Sequence, residues 1–413
     1  MNSIFDGKLR VLDISMGWAG PLVGQMFAEM GADVIKVEDT HHFDWWRGSL
    51  SMAPPEMQPI ERAAVFNTAN RGKRGVTLDL ASARGIEILK RMIEVSDVLV
   101  ENFSPGVMDR LGLGYQSVSA INPRLIMISM PSFGSDGPEC NARGYGNTVE
   151  AMAGVTGLTG YHDGTGQRYT LSNALGDPVG GLHGVFALMV AIRERERTGR
   201  GQLIELAQVE SLIPFVTDAM LDFQFTGKVA AARGNRHREH APHGIYRCAE
   251  EDNWIALACE TNDQWRSLAH ALGIDDQRFA TASERKADED ALDTELSRAL
   301  APLNAEDCVA RLRDAGVLAA PVNPASAVMA DPQIQSREYF VAIDRAVVGT
   351  HLYPGAVARI PETPLRADNP APLLGEHNRQ VFAETLGMTD DEVAELERIG
   401  VIGSSPRQYR VTS

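Results

Sequence analysis

The sequence has few cysteines, no long apolar run and no surplus of positive charge. Cys140, Cys248, Cys259 and Cys308 are the only four in 413 residues, and they stand far apart, without the spacing of a metal site or of a disulfide framework. That pattern predicts a reduced, cytoplasmic protein with no bound metal. No stretch approaches the roughly 18 apolar residues of a membrane helix, and Met1 to Asp6 lacks the basic-then-apolar profile of a secretion signal. The formal net charge of −16 argues against nucleic acid and anionic membranes as partners, because both favour a basic face. Internal repeats and low-complexity tracts are also missing. Glycines at 17, 20 and 24 follow a first apolar strand, but their spacing is wrong for G-x-G-x-x-G, so nothing here specifies a dinucleotide.

What is present is an ordinary globular composition, 44% hydrophobic and 23% charged, in a chain long enough for two domains. Short apolar runs at 9–14, 33–37, 97–100, 125–129 and 203–206 alternate with helical patterns at 19–30, 85–95 and the segment after Asp177. That alternation predicts an α/β fold: a Rossmann-like large domain with a parallel sheet. In the helix after Asp177, apolar positions 179, 182, 185, 186, 189 and 190 form one broad face, and 211–225 reads as a further helix. Gly227 and the polar run 233–243 mark a change of character. A hairpin around 245–259 and helices near 262–272, 290–300 and 305–315 predict a smaller α+β domain. The expected division is 1–226, 227–330 and a segment 331–413 that returns to the large domain. It ends in helices near 376–386 and 389–399 and a frayed tail at 404–413.

Several residues suggest chemistry. Asn173-Ala174-Leu175-Gly176-Asp177-Pro178 places a carboxylate where a helix begins, so Asp177 reads either as a helix cap or as a nucleophile that a ligand can approach past glycines. Asn70-Arg71-Gly72-Lys73-Arg74 is a basic cluster in an acidic chain, suited to phosphate or to surface decoration. Trp45 and Trp46 beside Arg47 suggest the cover of an adenine or acyl pocket, or a subunit rim. His237, His240 and His243 are flanked by Arg236 and Arg238, which would repel a cation, so this run reads as a mobile polar loop. Arg193 to Arg197 reads as a solvated helix end.

Blocks spread along the chain carry a resemblance. Val11-Leu12-Asp13, Ala19-Gly20-Pro21, Gly31 to Glu38, Asn70 to Arg74 before Thr77-Leu78-Asp79-Leu80, and Val100 to Gly106 before Arg110-Leu111-Gly112 occur in order. Gly134-Ser135-Asp136-Gly137-Pro138, Thr198 to Gln202 and Leu374 to Asn378 follow. Together they resemble the class III CoA-transferases, the CaiB/BaiF family. The resemblance implies two interlocked subunits and transfer of CoA from an acyl-CoA thioester to a free carboxylic acid. It also implies that the CoA thioester is a substrate and that no cofactor is permanently bound. The matching aspartate is Asp177, which would form an acyl anhydride and then an aspartyl-CoA thioester. Matching CoA-binding positions are Trp18, Ala19, Asn70, Arg71, Lys73, Asn102, Phe103, Arg110 and Tyr145.

The departures bear on substrate. Trp18 stands where the oxalate/formyl branch has a glutamine, and Gly146 where it has an acid, so that branch's reaction is not expected. Trp18 hints at a less polar acyl group, and the basic 233–243 loop could hold the free carboxylate of a dicarboxylic acid. Acyl-CoA racemases of the same superfamily use a histidine where this chain reads Gly144-Tyr145-Gly146. A non-catalytic acyl-CoA-binding protein is the other alternative.

Overall fold

The computed structural model describes residues 3–49, 57–162, 165–171, 174–274 and 277–407. Asn173 and residues 408–413 of the expected tail lie outside them. The chain divides into two units: the first holds 1–155, 170–226 and 336–413, the second 156–169 and 227–335.

In the first unit, six short strands form one parallel sheet: β1 (Arg10–Asp13), β2 (Asp33–Glu38), β3 (Arg74–Thr77), β4 (Val98–Glu101), β5 (Ile126–Ser129) and β6 (Leu203–Glu205). Their order is β3-β2-β1-β4-β5-β6, all neighbours parallel. Successive side chains of a strand face opposite sides, so a sheet covered on both faces needs apolar residues at every position. Leu12, Ile35, Leu99 and Met127 accordingly enter one core, with Ile88, Leu89, Phe382 and Leu396. Val11, Val34, Val98, Val100, Ile126 and Ile128 enter the other, with Phe27, Leu188 and Ala191. Burying each such Leu, Ile or Phe side chain is worth about 1.5–3 kcal/mol, which fixes register, because a one-residue slip would exchange the two cores.

Helix Gly176–Thr198 divides its apolar face between core and surface. It buries Val179, Gly180, Gly184, Leu188, Ala191, Ile192 and Arg195 against the sheet and the helix Ala19–Glu29, while Leu182, Phe186 and Val190 remain 51%, 70% and 53% exposed. Small residues allow this contact: a Cβ at Gly181 would meet Ala19 O at 2.8 Å. The charge run at its end is not wholly solvated either, since Arg195 is buried and pairs with Asp97 at 3.0 Å. The expected helix over 211–225 is broken into Gln208–Leu212, a 3-10 turn at Ile213–Val216 and Thr217–Thr226, with Pro214 in the middle piece.

The second unit carries the antiparallel sheet β7 (His243–Arg247), β8 (Trp254–Ala258) and β9 (Leu318–Pro321), packed on helices that bury Trp265, Leu268, Leu296 and Leu312. The 233–243 run is tied down here: Arg236 bonds Asp290 and Asp293 at 2.5 and 2.6 Å, and Lys286 Nζ donates to His237 O at 2.6 Å. His237 Nδ1 accepts the N–H groups of Glu239 and His240.

Back in the first unit, residues 336–413 add the hairpin β10 (Phe340–Arg345) and β11 (Gly349–Pro354), which the sequence reading missed. They also cover the edge strand β3: Asn378 Oδ1 accepts the Thr77 N–H at 2.9 Å, and His377 donates its N–H to Gly75 O.

Candidate active site

A parallel sheet of this order leaves a crevice at the carboxyl ends of β1 and β4, where the chain turns to opposite faces. Asn102, just beyond β4, spans it: Oδ1 accepts the Met16 N–H at 2.9 Å and Nδ2 donates to Met16 O at 2.8 Å. A cavity of about 420 Å³ opens there, lined among others by Met16, Trp46, Phe103, Ser132, Gln208 and Asp177. Trp45, Asn102, Ser104, Gly144, Tyr145, Gly146, Asn147 and Ala174 complete the wall, so strand ends, helix starts and turns all contribute.

Asp177 is half-buried in the first turn of its helix but is not the cap; Leu175 holds that position without a side-chain bond, and the Asp177 N–H donates to Ala174 O. The carboxylate instead faces the N–H groups of Ala19 and Gly146, the first residues of the helices Ala19–Glu29 and Gly146–Met152. Burial pushes its pKa up to about 6; the Glu150 charge adds to the rise, and the two N–H donors oppose it. The site therefore holds a carboxylate that is mostly ionised at neutral pH and more basic than an exposed aspartate. Glycine 146 is needed for this approach: a Cβ there would run into Asp177 Oδ2 and Ala174. Gly180 and Gly181 lie inside the helix, where their N–H groups serve its own ladder, and their small size serves packing against Gln208, Ala19 and Leu22.

Aromatic side chains make one wall. Trp45 meets Tyr145 edge-on at 5.9 Å and Trp46 at 6.0 Å, and Trp46 packs on Trp18 at 5.2 Å. Trp18 itself does not line the cavity. The turn Trp45–Arg47 is held from below by Asp44, which accepts the N–H groups of Gly17 and Trp46 and pairs with Lys36 at 3.0 Å.

The basic cluster departs from expectation. Asn70, Arg71 and Lys73 are buried, and their polar ends face inward. Lys73 Nζ donates to Asp13 Oδ2, Pro21 O and Asn70 Oδ1 at 2.7–2.8 Å, using all three of its protons, and burial pushes its pKa down to about 8 despite Asp13. Arg71 is held by Glu29 at 2.6 Å. These side chains brace the sheet and do not face the cleft. Glu38, the residue in the ribose-holding place of a dinucleotide fold, is likewise buried and paired with Arg47 at 2.8 Å. Arg110 and Arg143 are exposed, Arg110 beyond the Ser104–Gly106 turn and Arg143 next to Gly144, and neither has an ion pair among the described residues. Arg143, Glu150, Ser132 and Gln208 had no sequence signal, because nothing local marks a residue that long-range packing brings to a cleft.

Comparison with known proteins gives concordant results. The model of CoA-transferase family III matches residues 7–378. The succinyl-CoA–D-citramalate CoA-transferase of Chloroflexus aurantiacus is 30% identical, over 95% of this chain and 97% of that one. The succinate–glutarate CoA-transferase of Agrobacterium fabrum is 33% identical, over 91% and 94%. A crystal structure of a CAIB/BAIF family protein from Brucella suis superposes with a TM-score of 0.84 at 34% identity, covering 93% of this chain and all of that one.

Proposed function

The chain belongs to CoA-transferase family III and is a CoA-transferase, and from that premise we propose that its reaction runs through Asp177. The observation that carries this reading is a half-buried carboxylate, raised to about 6, at the base of the crevice and within reach of two helix-start N–H groups. One Asp177 oxygen attacks the thioester carbonyl of the donor; the C–S bond breaks, CoA leaves as thiolate and a mixed anhydride remains. The thiolate attacks the aspartyl carbonyl, releasing the donor acid and leaving an aspartyl-CoA thioester. The acceptor carboxylate then attacks that thioester, expelling thiolate and forming a second anhydride. The thiolate attacks the acceptor's carbonyl, which forms the new acyl-CoA and frees Asp177. No step consumes water, and no general base is required because the nucleophile is already ionised. The N–H groups of Ala19 and Gly146 bind the Asp177 oxygen on which negative charge grows when its carbonyl is attacked. Holding the thioester against a weak nucleophile supplies about 7 kcal/mol or more of the barrier reduction.

CoA lies over Asn102 and Phe103, with Tyr145 and the tryptophans flanking the thioester and Arg110 and Arg143 outside for its phosphates. Asn70, Arg71 and Lys73 support that floor from within. The exposed apolar side chains Leu182, Phe186, Met189 and Val190, on one side of helix Gly176–Thr198, support a homodimer, since a stripe of this kind is normally covered. Four unpaired cysteines support a cytoplasmic setting. The direct test incubates the protein with succinyl-CoA, named in the Chloroflexus relative, and with aromatic acyl-CoA donors against free acids, reading new thioesters by mass spectrometry. New acyl-CoA that requires both donor and acid supports the reading; hydrolysis alone contradicts it.

A further inference from the structure

Glu150 takes no part in the steps above, yet it is fully buried beside the reacting carboxylate. Its oxygens accept the Leu171 N–H at 3.2 Å and the Leu175 N–H. Between those two residues Ala174 stands at φ +46°, a left-handed conformation that an L side chain rarely adopts. Ala174 O receives the Asp177 N–H, and Ala174 itself lines the cavity. The strained Ala174, bonded through its carbonyl to the Asp177 N–H, therefore bears on the direction in which Asp177 leaves the backbone. A neutral amide could accept the same N–H groups at a smaller desolvation cost, so the charge itself calls for a reason.

The geometry points to Glu150 as a positioning residue that holds Leu175 and, next to it, the strained Ala174 in place, aims Asp177 into the cleft and keeps a second negative charge beside it to strengthen the nucleophile. This rests on the reading of Asp177 as the attacking group. Other charged or titratable groups on the elements packed there are Glu29, paired with Arg71; Asp44, paired with Lys36; Glu210, exposed; Tyr145; and His183, whose Nδ1 lies 2.9 Å from Val179 O. Glu150 is the one whose charge pushes Asp177 up, adding to the effect of burial.

Glu150→Gln keeps an acceptor for Leu175 and removes the charge, whereas Glu150→Asp keeps the charge and shortens the reach. Glu150→Gln should lower kcat roughly tenfold or more with KM for acyl-CoA held within about twofold, and should move the acid limb of kcat/KM to lower pH. Glu150→Asp should lower kcat while the limb stays in place. A Glu150→Gln enzyme with wild-type kcat and an unmoved limb overturns the inference. Should that variant fail to fold, Glu150→Asp decides, and wild-type kcat there overturns it. Acyl adduct on Asp177 is followed in the same series: none in the wild type contradicts the reaction and the inference together, whereas adduct at equal rates in wild type and Glu150→Gln contradicts the inference alone.

Discussion

The backbone of Gly146 approaches the Asp177 carboxylate so closely that no side chain fits between them, because a Cβ on Gly146 would overlap Asp177 Oδ2 and Ala174. The Asp177 carboxylate is thus set by a close approach of backbone to side chain, at a point where three chain segments meet beyond the sheet's carboxyl edge. Gly146→Ala should fold, at an overpacking cost of about 1–3 kcal/mol, and lose kcat by about 100-fold through displacement of the carboxylate. Thermal melts and steady-state kinetics on the same preparation check both.

The raised pKa of Asp177 gives a pH prediction with a definite sign. In the proposed reaction its carboxylate form attacks, so kcat/KM should fall with an acid limb near the pKa of about 6. The stability effect runs the other way. A folded-state value above the ordinary 3.8 means that the charged form costs stability above pH 6, and that this cost fades as pH falls toward 3.8. Asp177→Asn should therefore be more stable than wild type at pH 8, by about 1 kcal/mol once the imperfect pairing of the amide is allowed for, and equal to it near pH 4. Melting curves across that range test the sign.

The buried and exposed cations should behave differently. Arg110→Ala and Arg143→Ala should raise KM for acyl-CoA, with wild-type affinity weakening as salt is added, and leave stability within about 0.5 kcal/mol. Lys73→Ala should instead destabilise the fold by about 3 kcal/mol, because it leaves the buried Asp13 carboxylate with only Ser15 and the nearby Lys36 charge. Equal KM effects and no loss of stability in all three variants would contradict the burial of Lys73 as described.

The parallel sheet was legible in the sequence because doubly covered strands must be apolar at consecutive positions, as in Val11-Leu12 and Val98-Leu99-Val100. The strand β3 was not, since Arg74-Gly75-Val76-Thr77 has a charged and a glycine position that only the covering segment around His377 and Asn378 completes. At the site, Asp177 was visible as a helix-start carboxylate, but its role as cap was misjudged, because the chain reaches helical geometry already at Leu175. The basic cluster misled for a related reason: charge in a sequence carries no sign of direction, and Lys73 finds Asp13 sixty residues away. Likewise the apolar face of helix Gly176–Thr198 was legible as a stripe, but the periodicity of a helix cannot tell which of its apolar positions the core covers, and Leu182, Phe186 and Val190 stay exposed.

That exposed stripe leads to an assembly prediction. Phe186, at 70% exposure, and Phe225, at 82%, should lie in a homodimer interface that persists on dilution, as interfaces of large apolar area do. Sedimentation at nanomolar concentration should give twice the chain mass. Phe186→Asp should weaken the dimer, visible as a concentration-dependent shift toward monomer or as aggregation.

The central claim is that Asp177 becomes covalently acylated, and the most direct measurement looks for that bond. Wild-type protein is mixed with donor acyl-CoA, quenched with hydroxylamine, digested and sequenced by mass spectrometry. The account predicts a hydroxamate on Asp177 of the peptide that contains it, formed only with donor present and absent from freshly prepared Asp177→Asn. An Asp177→Asn enzyme that transfers CoA at near wild-type rate, with residue 177 unmodified in the wild type, would contradict it.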